Sequence, residues 1–178
     1  MNMKRMKKTI ALVLAAAMLV SIAGCHKKIN KVDEDDVIAA LEDVLDLEEA
    51  DDSENESDYY NVVDNYPGRE ISIRGYVDKD DNHDESIVIT YIVYEDEDEP
   101  IEHFEYCYDA VTHNALYKKD DYIAYYEKSE WGYAVVEVGE FFDAVYYVDD
   151  TVLEVSARSE DDIASAKEFI RELGLPLK

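Results

Sequence analysis

The stretch DYIAYYEKSEWGYAVVEVGEFFDAVYYVDDTVLEVSA, residues 121–157, decides the fold. It contains four short segments rich in β-branched residues and tyrosine, at 121–127, 132–138, 142–148 and 151–157. Short breaks such as VGE and DD separate these segments and are typical of tight turns. The stretch therefore predicts four consecutive strands of an antiparallel sheet.

Two earlier segments extend this sheet, and a helix follows them. Residues 69–77 and 85–94 have the same strand-like composition, with an acidic loop between them. Residues 101–116 place apolar side chains at spacings of three and four behind Pro100, as a helix with one buried face does. The sequence thus predicts about six strands, with a helix inserted between the second and third.

The end of the chain predicts a second helix. Ser159 is a suitable N-cap, apolar residues recur at helical spacing after it, and Gly174 stops the pattern. We therefore predict an α+β domain over residues 69–178, with an antiparallel sheet of about six strands and two or three helices on one face.

The region before this domain predicts a helix and a linker. Residues 33–50 carry an apolar stripe that includes Val37, Leu41 and Leu45. Residues 51–68 are polar and acidic, show no sustained period and end in a Pro-Gly turn, so we predict an acidic linker. The pattern leaves open whether the helix packs on the domain or only spaces it from what precedes.

The N-terminus has the features of an export signal. Lys4, Arg5, Lys7 and Lys8 precede a run of 16 uncharged residues from Thr9 to Gly24. That run is shorter than the ~20 apolar residues of a membrane-spanning helix. It ends in Ile22-Ala23-Gly24-Cys25, which resembles the lipobox of bacterial lipoproteins.

The resemblance implies a cellular location for the protein. Residues 1–24 would be a lipoprotein signal peptide, Cys25 would carry a diacylglycerol, and residues 25–32 would be a tether. Two acyl chains anchor a protein stably, so the expected location is the outer face of the cytoplasmic membrane. In layout the chain is similar to small lipobox-tethered proteins of Gram-positive bacteria, a likeness that implies no activity. The alternative is an ordinary signal peptide or an uncleaved anchor with an incidental cysteine.

The charge of the chain excludes one class of partner. The formal net charge is −27, and the first 24 residues carry four positive and no negative charges, so the chain from Cys25 has −31. Nucleic-acid-binding proteins show basic patches, which the chain lacks after the tether of residues 25–32, so we predict no nucleic-acid partner. Acidic runs such as EDEDE at 95–99 either attract cations and basic proteins or simply keep the surface solvated.

No motif for catalysis or metal binding appears. There is no H-E-x-x-H, G-x-S-x-G, Walker loop, G-x-G-x-x-G or C-x-x-C. His103 and His113 lie ten residues apart on skewed sides of the predicted helix, so they cannot bind one ion together. The loop from Asp78 begins like a calcium-binding loop but has His83 and Ile89 where glycine and glutamate are needed. We therefore predict no catalytic residue, no metal ligand and no cofactor.

Cysteine and tyrosine give the remaining clues. With Cys25 carrying lipid, Cys107 has no disulfide partner within the chain, and we predict a small buried residue rather than a reactive thiol. The 15 tyrosines include three doublets, which in a strand place one ring on each face of the sheet. We predict a non-enzymatic domain that binds a protein, a peptide or envelope material through tyrosines on its sheet. The alternative is a cell-wall or glycan hydrolase that uses paired carboxylates.

Overall fold

The computed structural model describes residues 28–50, 58–78, 85–96, 98–113, 118, 121–127 and 130–177. Within these residues the chain forms three helices and one sheet of eight strands, which confirms the predicted α+β class. In chain order the elements are α1 (Glu34–Leu45), β1 (Glu48–Glu49), β2 (Asp58–Tyr66), β3 (Arg69–Asp78), β4 (Glu85–Tyr94), α2 (Glu99–Thr112), β5 (Tyr122–Glu127), β6 (Trp131–Val138), β7 (Phe141–Val148), β8 (Thr151–Ala157) and α3 (Glu160–Glu172).

The sheet joins two groups of strands through its last strand. Its order is β1-β2-β3-β4-β8-β7-β6-β5, and β8 lies between β4 and β7. The six predicted strands all form, as β3 to β8, and all pair antiparallel. The described chain has eight strands rather than about six, and the sheet is mixed because β1 runs parallel to β2.

The segment 51–68 is not a linker, because it contains strand β2. Pro67 and Gly68 form the two-residue turn that joins β2 to β3, and Gly68 has φ +81°. Glycine adopts this left-handed conformation without steric cost. The sequence hid the strand because Asn61 and Asp64 interrupt its apolar residues. The sheet therefore begins before residue 69, where we had placed the start of the domain.

Helix α1 belongs to the core, which answers whether it packs on the domain. Val37 and Leu41 are fully buried, and Ala40 is 2% exposed. The helix ends at Leu45 rather than continuing to residue 50, because Asp46 adopts a left-handed φ of 55°. The Leu47 backbone N–H then bonds to the Leu41 carbonyl at 3.1 Å and closes the helix end.

Residues 28–32 also pack on the domain, although we predicted a tether over 25–32. Ile29 and Val32 are 5% and 9% exposed and join the main hydrophobic core. The Tyr91 hydroxyl donates a 2.7 Å hydrogen bond to the Val32 carbonyl. Burial of the Ile29 and Val32 side chains stabilises the docked segment by roughly 1.5–3 kcal/mol each. This gain offsets the conformational entropy that the segment loses when it packs on the domain.

Helices cover both faces of the sheet, so the prediction of helices on one face is wrong. Helices α1 and α3 contact each other on one face, while α2 packs on the opposite face, here called the α2 face. The reason lies in β6 and β7, where residues 131–136 and 144–148 are buried without interruption. Continuous burial along a strand requires cover on both sides. Phe104 of α2 is fully buried on the Tyr147 ring, with 5.6 Å between ring centroids.

The last helix has the predicted ends. The Ser159 side chain accepts a 3.3 Å hydrogen bond from the Asp162 N–H, and its hydroxyl donates to the Asp162 carboxylate. Its buried stripe consists of Ile163, Ala166, Phe169 and Ile170. The predicted cap and stripe of the helix are therefore confirmed.

The signal peptide and Cys25 lie outside the described residues, so both stay predictions. In the part of the chain that the structure covers, each helix is too short or too polar to cross a bilayer.

Candidate functional site

An open groove lies on the α2 face of β2 and β3. Helix α2 covers β4 to β8 on this face, and the neighbouring side chains of β2 and β3 are half-buried or exposed, apart from the buried Ser72. The groove measures about 420 Å³, and its lining includes two tyrosines, two arginines and two neutral polar residues: Tyr59, Tyr76, Arg69, Arg74, Asn61 and Ser72. We call this set the open groove. It combines aromatic surface with positive charge.

Strand pairing fixes the arrangement inside the groove. Tyr59 and Tyr76 are directly paired across β2 and β3, and their ring centroids lie 5.3 Å apart. The next row on the same face runs from Asn61 to Arg74, and continues through β4 to Glu154 on β8. A ligand along this row would therefore meet an amide, a guanidinium and a carboxylate in order.

The charge of the groove differs from that of the rest of the protein. Only four arginines follow the predicted signal peptide, and two of them, Arg69 and Arg74, line this groove. Arg69 also lies over the Tyr94 ring, with its Cζ atom 5.7 Å from the ring centroid. In the described part of the chain, the buried Oδ1 atom of Asn61 has no hydrogen-bond partner. The groove thus offers positive charge, while the Asn61 Oδ1 atom is buried beneath its surface.

A second polar group, the His103 cluster, lies where the row reaches β8. It consists of His103 and Cys107 on α2, Glu154 on β8 and Tyr94 on β4. His103 and Cys107 are four residues apart, so the helix presents both on one side. The His103 Nε2–H donates a 2.9 Å hydrogen bond to Glu154 Oε1, and Nδ1 bonds to the Tyr94 hydroxyl.

The environment sets the protonation of this cluster. Burial raises the pKa of the Cys107 thiol, and the neighbouring Glu154 carboxylate raises it further. Burial alone would also raise the pKa of Glu154. The hydrogen bond and charge of His103 outweigh burial, with the Cys107 thiol and Arg74 acting the same way, so that pKa lies below its usual range. At neutral pH the cluster holds a carboxylate beside a protonated thiol.

These states do not favour hydrolysis. A nucleophilic cysteine needs a lowered pKa, and a general-acid carboxyl needs a raised one. Cys107 and Glu154 are shifted the opposite way. Asp143 lies near Glu154, but it accepts hydrogen bonds from Arg158 at 2.7 Å and from Ser156 at 2.8 Å. The geometry gives no support to the hydrolase alternative.

The structure places the residues singled out in the sequence in different surroundings. Cys107 is buried, as predicted, and has no disulfide. His113 is exposed and 3.4 Å from Asp109, away from the cluster. His83 and the loop 79–84 lie outside the described residues. Of the tyrosine doublets, only Tyr59 and Tyr60 divide between open groove and core, because α2 covers Tyr126 and Tyr147.

Sequence reasoning missed the His103 cluster and half of the groove. The signal for the cluster was the H-x-x-x-C spacing of His103 and Cys107, which puts two metal-binding side chains on one helix side. The third member, Glu154, comes from a strand 47 residues beyond Cys107 and has no local signal. Arg69 and Arg74 were two charges in a predicted strand, and only the sheet brings them beside Tyr59.

Comparisons with known proteins give little guidance. No protein-family model matches the chain, and no curated protein matches it. The crystal structure of a GTP binding regulator from Thermotoga maritima shows 10% identity over 78% of this chain and 82% of that chain, with a TM-score of 0.38. A TM-score this low carries no argument, so the proposals below rest on the residues themselves.

Proposed function

We propose that the protein is a lipid-anchored, non-enzymatic binding domain on the outer face of the cytoplasmic membrane. Its anchor would be lipid on Cys25, and its ligand an acidic peptide segment held in the open groove. The observation that supports the binding role is that two tyrosines and two arginines line one open groove of a strongly acidic chain.

The anchor rests on the Ile22-Ala23-Gly24-Cys25 resemblance and fits the packing of residues 28–32. Two residues lie between Cys25 and Lys28, so the chain from one to the other spans at most ~10 Å when fully extended. Lys28 pairs with Glu130 at 3.1 Å and Lys31 with Asp150 at 2.7 Å. These lysines neutralise the domain's own acids rather than lipid headgroups. The domain would therefore sit close to the bilayer, with Glu130 and Asp150 on its nearer end.

The chemistry of the groove favours a peptide that carries carboxylates. An arginine fork matches a carboxylate with two parallel hydrogen bonds. Tyr59 and Tyr76 offer flat, partly apolar rings that pack on an extended chain. A sugar polymer without carboxylates would use the rings but not the two positive charges.

The anchor is tested separately from the groove. Cells that produce the full chain are fed a palmitate analogue, and the protein is examined for the label. We expect labelling of the natural chain and none of the Cys25→Ser variant. Labelling that persists in Cys25→Ser would contradict the anchor and leave the groove untouched.

The groove is tested with defined peptides and the full chain in detergent. Fluorescence anisotropy would compare a glutamate-rich peptide with a glutamine-rich peptide of equal length, which lacks only the carboxylates. We expect the glutamate-rich peptide to bind, with affinity reduced about tenfold or more in Arg74→Ala. Arg171→Ala, an exposed arginine on α3, is the matched control and should bind normally.

Three results would contradict the acidic-peptide proposal. They are equal binding of both peptides, equal loss in Arg74→Ala and Arg171→Ala, and preferential binding of an uncharged glycan.

A further inference from the structure

We propose that the His103 cluster is a binding site for a zinc ion, held by His103, Cys107 and Glu154. The sequence patterns predicted no metal ligand, and the binding role of the open groove does not need one. The inference rests on the geometry of three side chains from two elements. One ligand atom from each lies within 4.8 Å of the others.

The distances suit a single ion after small side-chain rotations. Around zinc, bonds of about 2.0–2.3 Å place neighbouring ligand atoms roughly 3–4 Å apart. His103 Nε2 and Glu154 Oε1 are 2.9 Å apart without an ion between them. His103 and Cys107 approach from the same side of α2, while Glu154 projects from β8 against them. The sheet and the helix thus hold the ligands from opposite directions.

The ligand types select the metal. One nitrogen, one sulfur and one oxygen suit a borderline-soft ion such as zinc, whereas calcium and magnesium take oxygen ligands. The charges also balance, because one thiolate and one carboxylate neutralise a divalent ion beside a neutral imidazole. A neutral site is the form that partly buried surroundings tolerate best. His103 is 21% exposed at its side chain, and Cys107 is 8% exposed.

The protons of the cluster can rearrange to admit the ion. Binding would take the proton from the Cys107 thiol, since a coordinating thiol is deprotonated by the metal. It would also move the imidazole proton from Nε2 to Nδ1. The Tyr94 oxygen already bonds to Nδ1, and a tyrosine hydroxyl can accept as well as donate. Tyr94 would then orient the His103 ring, as hydrogen-bond partners of metal-bound histidines do.

The site would keep one position open. A shallow groove of about 230 Å³ reaches Cys107 and Glu154 from the solvent, between α2 and strands β7 and β8. Three protein ligands leave the fourth position of a tetrahedral ion for water or another small donor. Arg74 lies near enough to lower the pKa of Glu154, so it would weaken the attraction for a cation rather than add to it.

The test is a titration of the full chain in detergent with cobalt, a spectroscopic substitute for zinc. We expect one equivalent to give the ultraviolet charge-transfer band of a cobalt–thiolate bond, and zinc to remove it. Millimolar calcium or magnesium should leave the band unchanged. Cys107→Ser should abolish the band, and His103→Ala and Glu154→Gln should each weaken binding more than about a hundredfold. Tyr94→Phe should weaken it about 10–100-fold.

The control is His113→Ala, which removes an exposed histidine from the same helix and should bind like the natural chain. Circular dichroism of each variant shows that the fold is kept, and Cys107→Ser changes only one atom. The proposal is wrong if no charge-transfer band appears, if the band survives Cys107→Ser, or if His113→Ala weakens binding as much as His103→Ala. Arg74→Ala should lose the acidic peptide yet keep the metal, so the two proposals fail independently.

Discussion

The two halves of the sheet differ in how they are covered. Strands β6 to β8 pack on α2 on one face and on the other join the hydrophobic core that includes α3, and most of their side chains are buried. Strands β2 and β3 have helix α1 on one face only, and their other face forms the open groove. The same backbone pairing therefore supports a core in one half and an open groove in the other. Under the proposed function, stability and recognition belong to different strands of one sheet.

The largest contrast is expected from the same substitution placed in each half. Val145 on β7 is 1% exposed and Val63 on β2 is 45% exposed, and both face the α2 side. Val145→Asp buries an unpaired charge and should prevent stable folding. Val63→Asp should change the free energy of unfolding by less than about 0.5 kcal/mol. Urea unfolding measures both, and similar losses would show that the groove is not open.

The helix that closes the covered half should be the next most sensitive. Phe104 is fully buried and contacts the Tyr108, Tyr126 and Tyr147 rings. Phe104→Ala should cost about 3–5 kcal/mol of unfolding free energy, because the cavity cannot collapse between a helix and a sheet. Tyr106→Ala, on the exposed side of α2 at 77% exposure, should cost less than about 0.5 kcal/mol. A small loss in Phe104→Ala would mean that α2 does not pack on the sheet.

The difference in cover also explains what the sequence predicted well. Strands β3 to β8 and helices α2 and α3 have strong patterns, because apolar residues either recur at fixed spacing or form an unbroken run along each of them. The continuous apolar run of 131–136 even indicated cover on both faces, although we predicted helices on one. Strand β2 was not predicted, because its face in the open groove is not buried and so does not require apolar residues at Tyr59, Asn61 and Val63. Where burial does not select residues, no pattern forms.

The functional groups were harder to predict for a different reason. His103 and Cys107 were recognisable as a pair by spacing, but Glu154 joins them only because α2 packs on β8. Likewise, Arg74 lies in one row of the sheet with Asn61 and Glu154 because of strand register, although the three residues are far apart in the sequence. Both candidate sites are products of contacts between residues far apart in the sequence. A single sequence shows which residues exist but not which row of the sheet they share.

A third prediction tests the covered face of the otherwise open half. Gly75 on β3 has no room for a side chain, since a Cβ atom there would lie 2.8 Å from Leu41 Cδ2 and 3.2 Å from Leu47 Cδ1. Gly75→Ala should therefore cost about 1–3 kcal/mol by overpacking. In the Leu41→Ala background the added methyl enters a cavity, and the same change should cost less or stabilise. Equal costs in both backgrounds would show that Leu41 of α1 does not pack on Gly75 of β3.

A fourth prediction concerns Glu154, which lies where the two halves meet. Its folded-state pKa is below the usual value, so its contribution is present above the unfolded pKa of about 4.3 and is lost as pH falls through the folded value. The natural chain should lose stability more steeply than Glu154→Gln between about pH 5 and 3. At pH 7 the change should cost less than about 1 kcal/mol, because the side chain is 35% exposed. Urea unfolding across this range measures the slopes, and Glu102→Gln, exposed on α2, should keep the natural slope.

The smallest effect is expected inside the open groove, between Tyr59 and Tyr76. The two rings are paired across β2 and β3 at 5.3 Å, but the covering helix that adds contacts in the other half is missing from their face. A double-mutant cycle with Tyr59→Ala and Tyr76→Ala should give a coupling energy of about 0.2–1 kcal/mol. The same cycle for Tyr126 on β5 and Phe104 on α2, whose ring centroids lie 5.1 Å apart, should give a larger coupling energy because those rings share buried neighbours. If the coupling energy of Tyr59 and Tyr76 exceeds that of Tyr126 and Phe104, the two groove rings are held in place by packing on each other. A coupling energy within the expected range means that both rings can contact a ligand at little cost in stability.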